Sequence, residues 1–199
     1  ALSDYLASSA ASNTEYFQTF IEGIKNIQRL LKLEPSHHEQ RQILNRLLYA
    51  NIVTLMETFL SDAFVNIVLI NQAYTRKLVE TTPKFIDGKF SKSNIFTLME
   101  NLEKEVTEYL LNEVTYHNIW IVDKMYRSVL NIRFQFDLVS IDKIVRCRND
   151  IVHRNGKTVD GKPVVISSED VKSAIETVRD FVSGVEKQLP QKIVKRQLQ

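Results

Sequence analysis

Arg148, Asn149 and His153 stand within six residues of one another, and side chains of these three types can together handle a phosphodiester. The stretch that carries them, Leu138 to Gly156, has apolar residues at helical spacing: Ile141, Ile144, Val145, Ile151 and Val152. Arg148 falls on that stripe where another apolar residue is expected. An arginine there is unfavourable unless it is paired, snorkels, or faces a cleft or a partner subunit. Asn149 and His153 are at i, i+4, one turn apart on one face. The patch therefore offers a fixed cation, an amide able to orient an imidazole, and a group that exchanges protons near neutral pH.

Those parts suit cleavage of RNA. The 2′-hydroxyl must lose a proton to attack the adjacent phosphorus, and the 5′-oxygen must gain one as it leaves. Histidine is the natural carrier for both transfers. The phosphorus centre gains charge in the transition state, and an arginine fork stabilises it without a metal. Acid and base roles are most simply filled by two histidines, whereas this patch offers one. Two copies meeting across a two-fold axis would supply the second.

The string Arg148-Asn149-Asp150-Ile151-Val152-His153 is R-N-x-x-x-H, and it resembles the signature of the HEPN superfamily (higher eukaryotes and prokaryotes nucleotide-binding). That signature is an Arg, four to six residues, then a His, with a polar residue directly after the Arg. The longer string RNDIVHRNG is similar to HEPN proteins of prokaryotic defence and toxin–antitoxin systems. The resemblance implies a metal-independent endoribonuclease that works as a homodimer, with no cofactor. Arg148 and His153 would be the catalytic pair and Asn149 the residue that positions them. It also implies RNA as substrate and an antitoxin or other regulatory protein as a further partner. Arg146 satisfies the spacing as R-x6-H but lacks the following Asn, so it ranks second; Arg146, Arg154 and Lys157 are the candidates for holding phosphates. Some HEPN domains keep the bundle and act only as binding or interaction modules, so an inactive nucleotide- or RNA-binding module is the alternative.

Helical periodicity dominates the rest of the chain and predicts an all-α bundle of five to six helices. Phe17, Phe20, Ile21, Ile24, Ile27 and Leu31 form one stripe that Pro35 ends. A second helix is expected from near Ser36 to about Val79, apolar over so wide an arc that it should be central. Residues 81–93, with Pro83 and Asp87-Gly88, read as a loop that can hold a short hairpin. A third stripe runs from Ile95 to Leu110, and an aromatic-rich segment from His117 to Leu130 also reads as helical. After the motif helix stops at Asn155-Gly156, KTVDGKPVVI places Asp160-Gly161 between two β-prone runs and predicts a small hairpin. Ser167 and Asp170 form a capping box that opens the last helix. Residues 1–186 read as one domain and 187–199 as a basic tail.

Composition bounds the remaining classes. A chain of 199 residues with 44% apolar residues can bury one core, and 5 Gly with 4 Pro argue against a turn-rich all-β fold. The formal charge is only +2, but residues 141–165 carry six basic against three acidic side chains, and 187–199 carry four against none. One cysteine, Cys147, excludes a disulfide framework and fits a cytoplasmic setting. Four histidines (His37, His38, His117, His153) with no H-E-x-x-H or Cys cluster leave no metal site to expect. The N-terminal ALSDYLASSAASNTE has no basic n-region or continuous apolar run, and the run from Ala63 to Ile70 is short for a bilayer, so no membrane segment is expected. Cys147 between two arginines could be a nucleophile, but no second triad member is near and a small helix residue is the preferred reading. His117 with Trp120 could stack a base, though core packing is the preferred use of Trp120. His37 and His38 read as surface residues.

Overall fold

The computed structural model describes residues 13–33, 35–86 and 95–190. Helix α1 spans Asn13–Leu31 and buries Phe20, Ile24 and Ile27 against helix α2, His38–Ile70. Ile52, Leu60, Ala63 and Phe64 of α2 are fully enclosed. By length and composition α2 could cross a membrane, and 61% of its most apolar window is instead buried by its neighbours. That window is longer than the run from Ala63 to Ile70 because isolated polar residues do not interrupt it. Around α2 pack α1, α7 (Leu138–His153) and α8 (Ser168–Glu186).

Between α2 and α7 come α3 (Gln72–Thr81), α4 (Pro83–Ile86), α5 (Ile95–Glu108) and α6 (Ile119–Met125). The last two continue into π-helical turns, Tyr109–Glu113 and Tyr126–Leu130. Among the described residues there are thus eight α-helices rather than five or six. The helix expected from Ser36 to Val79 is divided at Asn71. Asn71 is extended, and its side-chain oxygen accepts from the Ala73 N–H at 3.0 Å, which ends one helix and caps the next. Pro83 opens a single turn at a position where its missing N–H has no cost. The Asp87-Gly88 signal lies outside the described residues, as do Lys192, Lys195 and Arg196 of the basic tail.

Aromatic contacts tie the far side of α2 to α8. Tyr126 is fully buried and donates its O–H to the Leu60 carbonyl at 2.7 Å. Its ring lies 5.0 Å from Phe64 and 5.1 Å from Phe134, and Phe134 in turn lies 5.1 Å from Phe181 on α8. Ile132 and Phe134 point inward from an extended segment, which accounts for their spacing of two.

The small β-hairpin expected after the motif helix is not formed. Lys157 and Pro163 make one isolated antiparallel bridge. The two bonds that flank it are made, from the Thr158 N–H to the Lys162 carbonyl and from the Val164 N–H to the Gly156 carbonyl, both at 2.8 Å. The Gly156 N–H is committed to the carbonyls of Asp150 and Ile151 at the end of α7, so the pairing does not propagate. The following backbone is bonded instead by side chains of α2: Arg46 Nε donates to the Val164 carbonyl at 2.8 Å, and Asn45 Nδ2 to the Ile166 carbonyl at 2.9 Å. Gln42 closes both groups of Ile166 at 3.1 Å, donating to its carbonyl and accepting from its N–H. At the end of this connection Ser167 and Asp170 form the expected capping box.

Glu186 lies in the last turn of α8, which holds no basic residue. Its Oε2 is buried without a hydrogen-bond partner among the described residues, and burial pushes its carboxyl up to about 7. The folded state therefore holds this proton more tightly than the unfolded chain, and stability falls as pH rises from about 4.5 to about 7. Glu186→Gln is expected to raise the melting temperature at pH 8 by roughly 2 °C, about 1 kcal/mol after allowing for solvent screening, and to change little at pH 4. Thermal melts of both proteins at the two pH values check this, and equal shifts at both would contradict it.

Candidate active site

Helix α7 is set by its ends and its apolar stripe. The Asp137 side chain accepts from the Val139 N–H at 3.0 Å and starts the helix. Ile141, Ile144 and Val145 are buried and fix which face turns inward. The same rotation directs Arg148 at α2, where it meets Glu57. Arg148 Nη2 donates to Glu57 Oε2 at 2.8 Å, and each side chain is only 15% exposed. Arg148 Nη1 donates to Asn149 Oδ1 at 3.1 Å. The guanidinium is thus held from two sides, by a carboxylate on one helix and an amide on its own.

Sequence reasoning missed Glu57. It lies 91 residues from Arg148, and nothing local links the two. The available signal was an acid set among Leu55, Met56 and Phe59 on a helix apolar over a wide arc, opposite an arginine on a core stripe. Burial raises the Glu57 carboxyl above its ordinary value, while the charges of Arg148 and His153 oppose that rise. Its Oε1 is buried and has no hydrogen-bond partner among the described residues.

His153 occupies the last turn of α7 and is exposed. Asn149 shares its face, but the amide oxygen is engaged by Arg148, not by the imidazole. Arg148 bonds both Asn149 and Glu57, and the charge of His153 acts on the Glu57 carboxyl, which links the four residues into one electrostatic group. The phosphate-holding candidates lie along its edge. Arg146 Nε pairs with Asp142 at 2.7 Å, and Arg154 Nη1 with Asp150 at 2.5 Å, i, i+4 pairs in which the guanidiniums are exposed and the carboxylates partly buried. Such pairs contribute little, about 0.3–0.5 kcal/mol, so a phosphate can replace the carboxylate. Lys157 is exposed on the turn beyond the helix.

The other candidates fall away from this group. Cys147 is half-buried, and burial raises its thiol despite the Tyr49 hydroxyl bonded to its sulfur, the opposite of a reactive thiolate. His37, His38 and His117 are exposed on other elements. Trp120 is 49% exposed on α6 and so is not the core residue expected.

The sequence matches the family model described as RiboL-PSP-HEPN over residues 17–191. The chain belongs to the RiboL-PSP-HEPN family. The match covers all but the first helical turn of α1 and runs past the end of α8, so Arg148, His153 and Glu57 all lie inside the HEPN domain. Comparison with curated proteins and with solved structures found no match.

If Arg148 and Glu57 are bonded in this HEPN domain, their substitutions must not be additive. Either Glu57→Ala or Arg148→Ala leaves a largely buried charge without its partner, at a cost of about 1–3 kcal/mol. The double variant removes both charges, so it should be less destabilised than the sum by about 1–2 kcal/mol. Urea unfolding of the four proteins measures this, and additivity within about 0.5 kcal/mol would show that the pair is not formed.

Proposed function

We infer that this HEPN domain acts on RNA, since such domains are RNase-like or nucleotide-binding modules that often dimerise. We propose that this one is a metal-independent endoribonuclease whose working site is assembled from two copies of the chain. The observation that carries this reading is a guanidinium fixed by Glu57 and Asn149 beside an exposed imidazole on the same helix end. In the reaction, one histidine removes the proton of a 2′-hydroxyl, and the 2′-oxygen attacks the adjacent phosphorus. The bond from phosphorus to the 5′-oxygen breaks, and a second histidine protonates that oxygen. The products are a 2′,3′-cyclic phosphate and a 5′-hydroxyl. Arg148 stabilises the charge that builds on the phosphorane oxygens. Asn149 and Glu57 hold its plane, and Arg146, Arg154 and Lys157 bind flanking phosphates.

The second copy has a surface to meet. Ile43 and Leu47 on α2 are 52% and 63% exposed, and Val152 beside His153 is 52% exposed. Val152 adjoins His153 in the chain, and Ile43 and Leu47 flank Arg46, which reaches the turn after His153. A two-fold contact through these side chains would therefore bring the two His153 rings into one site. The likeness of RNDIVHRNG to defence and toxin–antitoxin proteins supports a prokaryotic role of that kind, in the cytoplasm, with an antitoxin as regulator. A second reading rests on Arg148 itself: two of its donor nitrogens are already engaged, which suits a module that binds RNA or a nucleotide without cutting it.

Labelled single-stranded RNA incubated with EDTA separates the two readings. The wild type is expected to cleave it, with Arg148→Ala and His153→Ala each reducing the rate about 10²-fold or more. RNA binding without cleavage by the wild type, or equal cleavage by all three, contradicts the catalytic reading. Leu47→Glu is expected to give a monomer in sedimentation and to lose activity with the fold intact; a monomer that still cleaves contradicts the shared site.

A further inference from the structure

The connection after the motif helix is gripped by α2 at a point the catalytic reading does not use. Asn155 and Gly156 both adopt left-handed backbone, at φ 52° and 73°. The buried Gly156 N–H closes the end of α7 by donating to the carbonyls of Asp150 and Ile151, each at 3.1 Å. The Arg46 guanidinium lies directly over this glycine: a Cβ at position 156 would stand 2.9 Å from Arg46 Nη1. Arg46 Nε donates to the Val164 carbonyl, and the Val164 N–H donates to the Gly156 carbonyl, both at 2.8 Å. Arg46, Gly156 and Val164 therefore form a closed set, and the cation stands beside the partially negative carbonyl end of α7. His153 is three residues before Gly156, in the turn that this set finishes.

Arg46 and Glu57 lie on the same helix, eleven residues or about 16 Å of rise apart. One fixes the turn that follows His153, and the other fixes Arg148. One continuous core helix thus spaces the two motif side chains from outside the motif. We propose that Arg46 is a positioning residue for His153, acting through the Gly156 turn. This rests on the ribonuclease reading for its effect on rate, but not for its effect on the imidazole. The geometry also explains why position 156 is a glycine. A side chain there would meet both a disfavoured φ and the guanidinium.

The test compares wild type, Arg46→Gln, Arg46→Lys and Gly156→Ala by two readouts. One is the ¹H–¹³C NMR signal of the His153 ring, assigned by its loss in His153→Gln, with His117 as the internal reference. The other is kcat and KM for RNA cleavage in EDTA. Arg46→Gln is expected to move the His153 signal and not that of His117, and to lower kcat about tenfold to a hundredfold with KM within about twofold. Gly156→Ala should reproduce both effects from the other side of the contact. Arg46→Lys, which keeps the charge but loses the Nε–H to Val164, should fall between and serves if Arg46→Gln does not fold. An unmoved His153 signal and unchanged kcat in folded variants would overturn the proposal, leaving Arg46 a stability residue alone. If the wild type does not cleave RNA, the ribonuclease reading fails, while the His153 signal still decides whether Arg46 positions the ring.

Discussion

A guanidinium on the inward face of a helix must find an anion, and the rest of the site follows from how this chain supplies one. Rotating α7 to carry Arg148 to the surface would withdraw Ile141, Ile144 and Val145 from the core. Glu57 meets it from α2, and neither charge is free to move because both helices are packed. Holding two charges at 15% exposure is not an efficient route to stability, since desolvation offsets most of their attraction. What the pair provides is a guanidinium in one orientation, already partly stripped of water. That is the state in which it acts most strongly on a phosphate.

The pair also divides labour between the helices. The motif helix carries Arg148 and His153 toward its carbonyl end, while α2 bonds Arg148 through Glu57 and the connection after the helix through Arg46. The polar residues of α2 that face the 164–166 backbone, Gln42, Asn45 and Arg46, replace the second strand that a hairpin would have needed. A helix otherwise suited to be a plain core element therefore bears five polar contacts that organise the site and its flanking loop. Within residues 141–165, Arg146 and Arg154 are matched by Asp142 and Asp150 in ion pairs along α7, while Lys157 is exposed beyond its end.

Much of this was legible in the sequence. The stripes of α1, α5, α7 and α8, the capping box at Ser167 and the central place of α2 follow from spacing alone, and the R-N-x-x-x-H string pointed to the HEPN superfamily. The anomaly at Arg148 showed that a partner was required without showing which. Glu57 stood out only as an acid on the apolar arc of α2, and its pairing with Arg148 is decided by helix packing across 91 residues, which local spacing does not encode. The division at Asn71 depends on one side chain competing for a backbone N–H, which periodicity does not weigh. The hairpin was expected from turn chemistry that does occur, with Gly161 at φ 77°, but the pairing is decided by α2 side chains more than a hundred residues away. Asn149 was read as the partner of His153 because i, i+4 neighbours share a face, whereas the adjacent guanidinium claims its oxygen.

The most direct test of the account is the chemistry of the RNA ends. Mass spectrometry of an oligoribonucleotide cut in the presence of EDTA, alongside the same oligonucleotide with a single 2′-deoxy substitution at the cut position, reads the nucleophile without reference to any variant. The arrangement of Arg148 and His153 predicts a 2′,3′-cyclic phosphate, a 5′-hydroxyl, and no cutting at the substituted position. A 3′-hydroxyl with a 5′-phosphate, or cutting that survives the 2′-deoxy substitution, would contradict it.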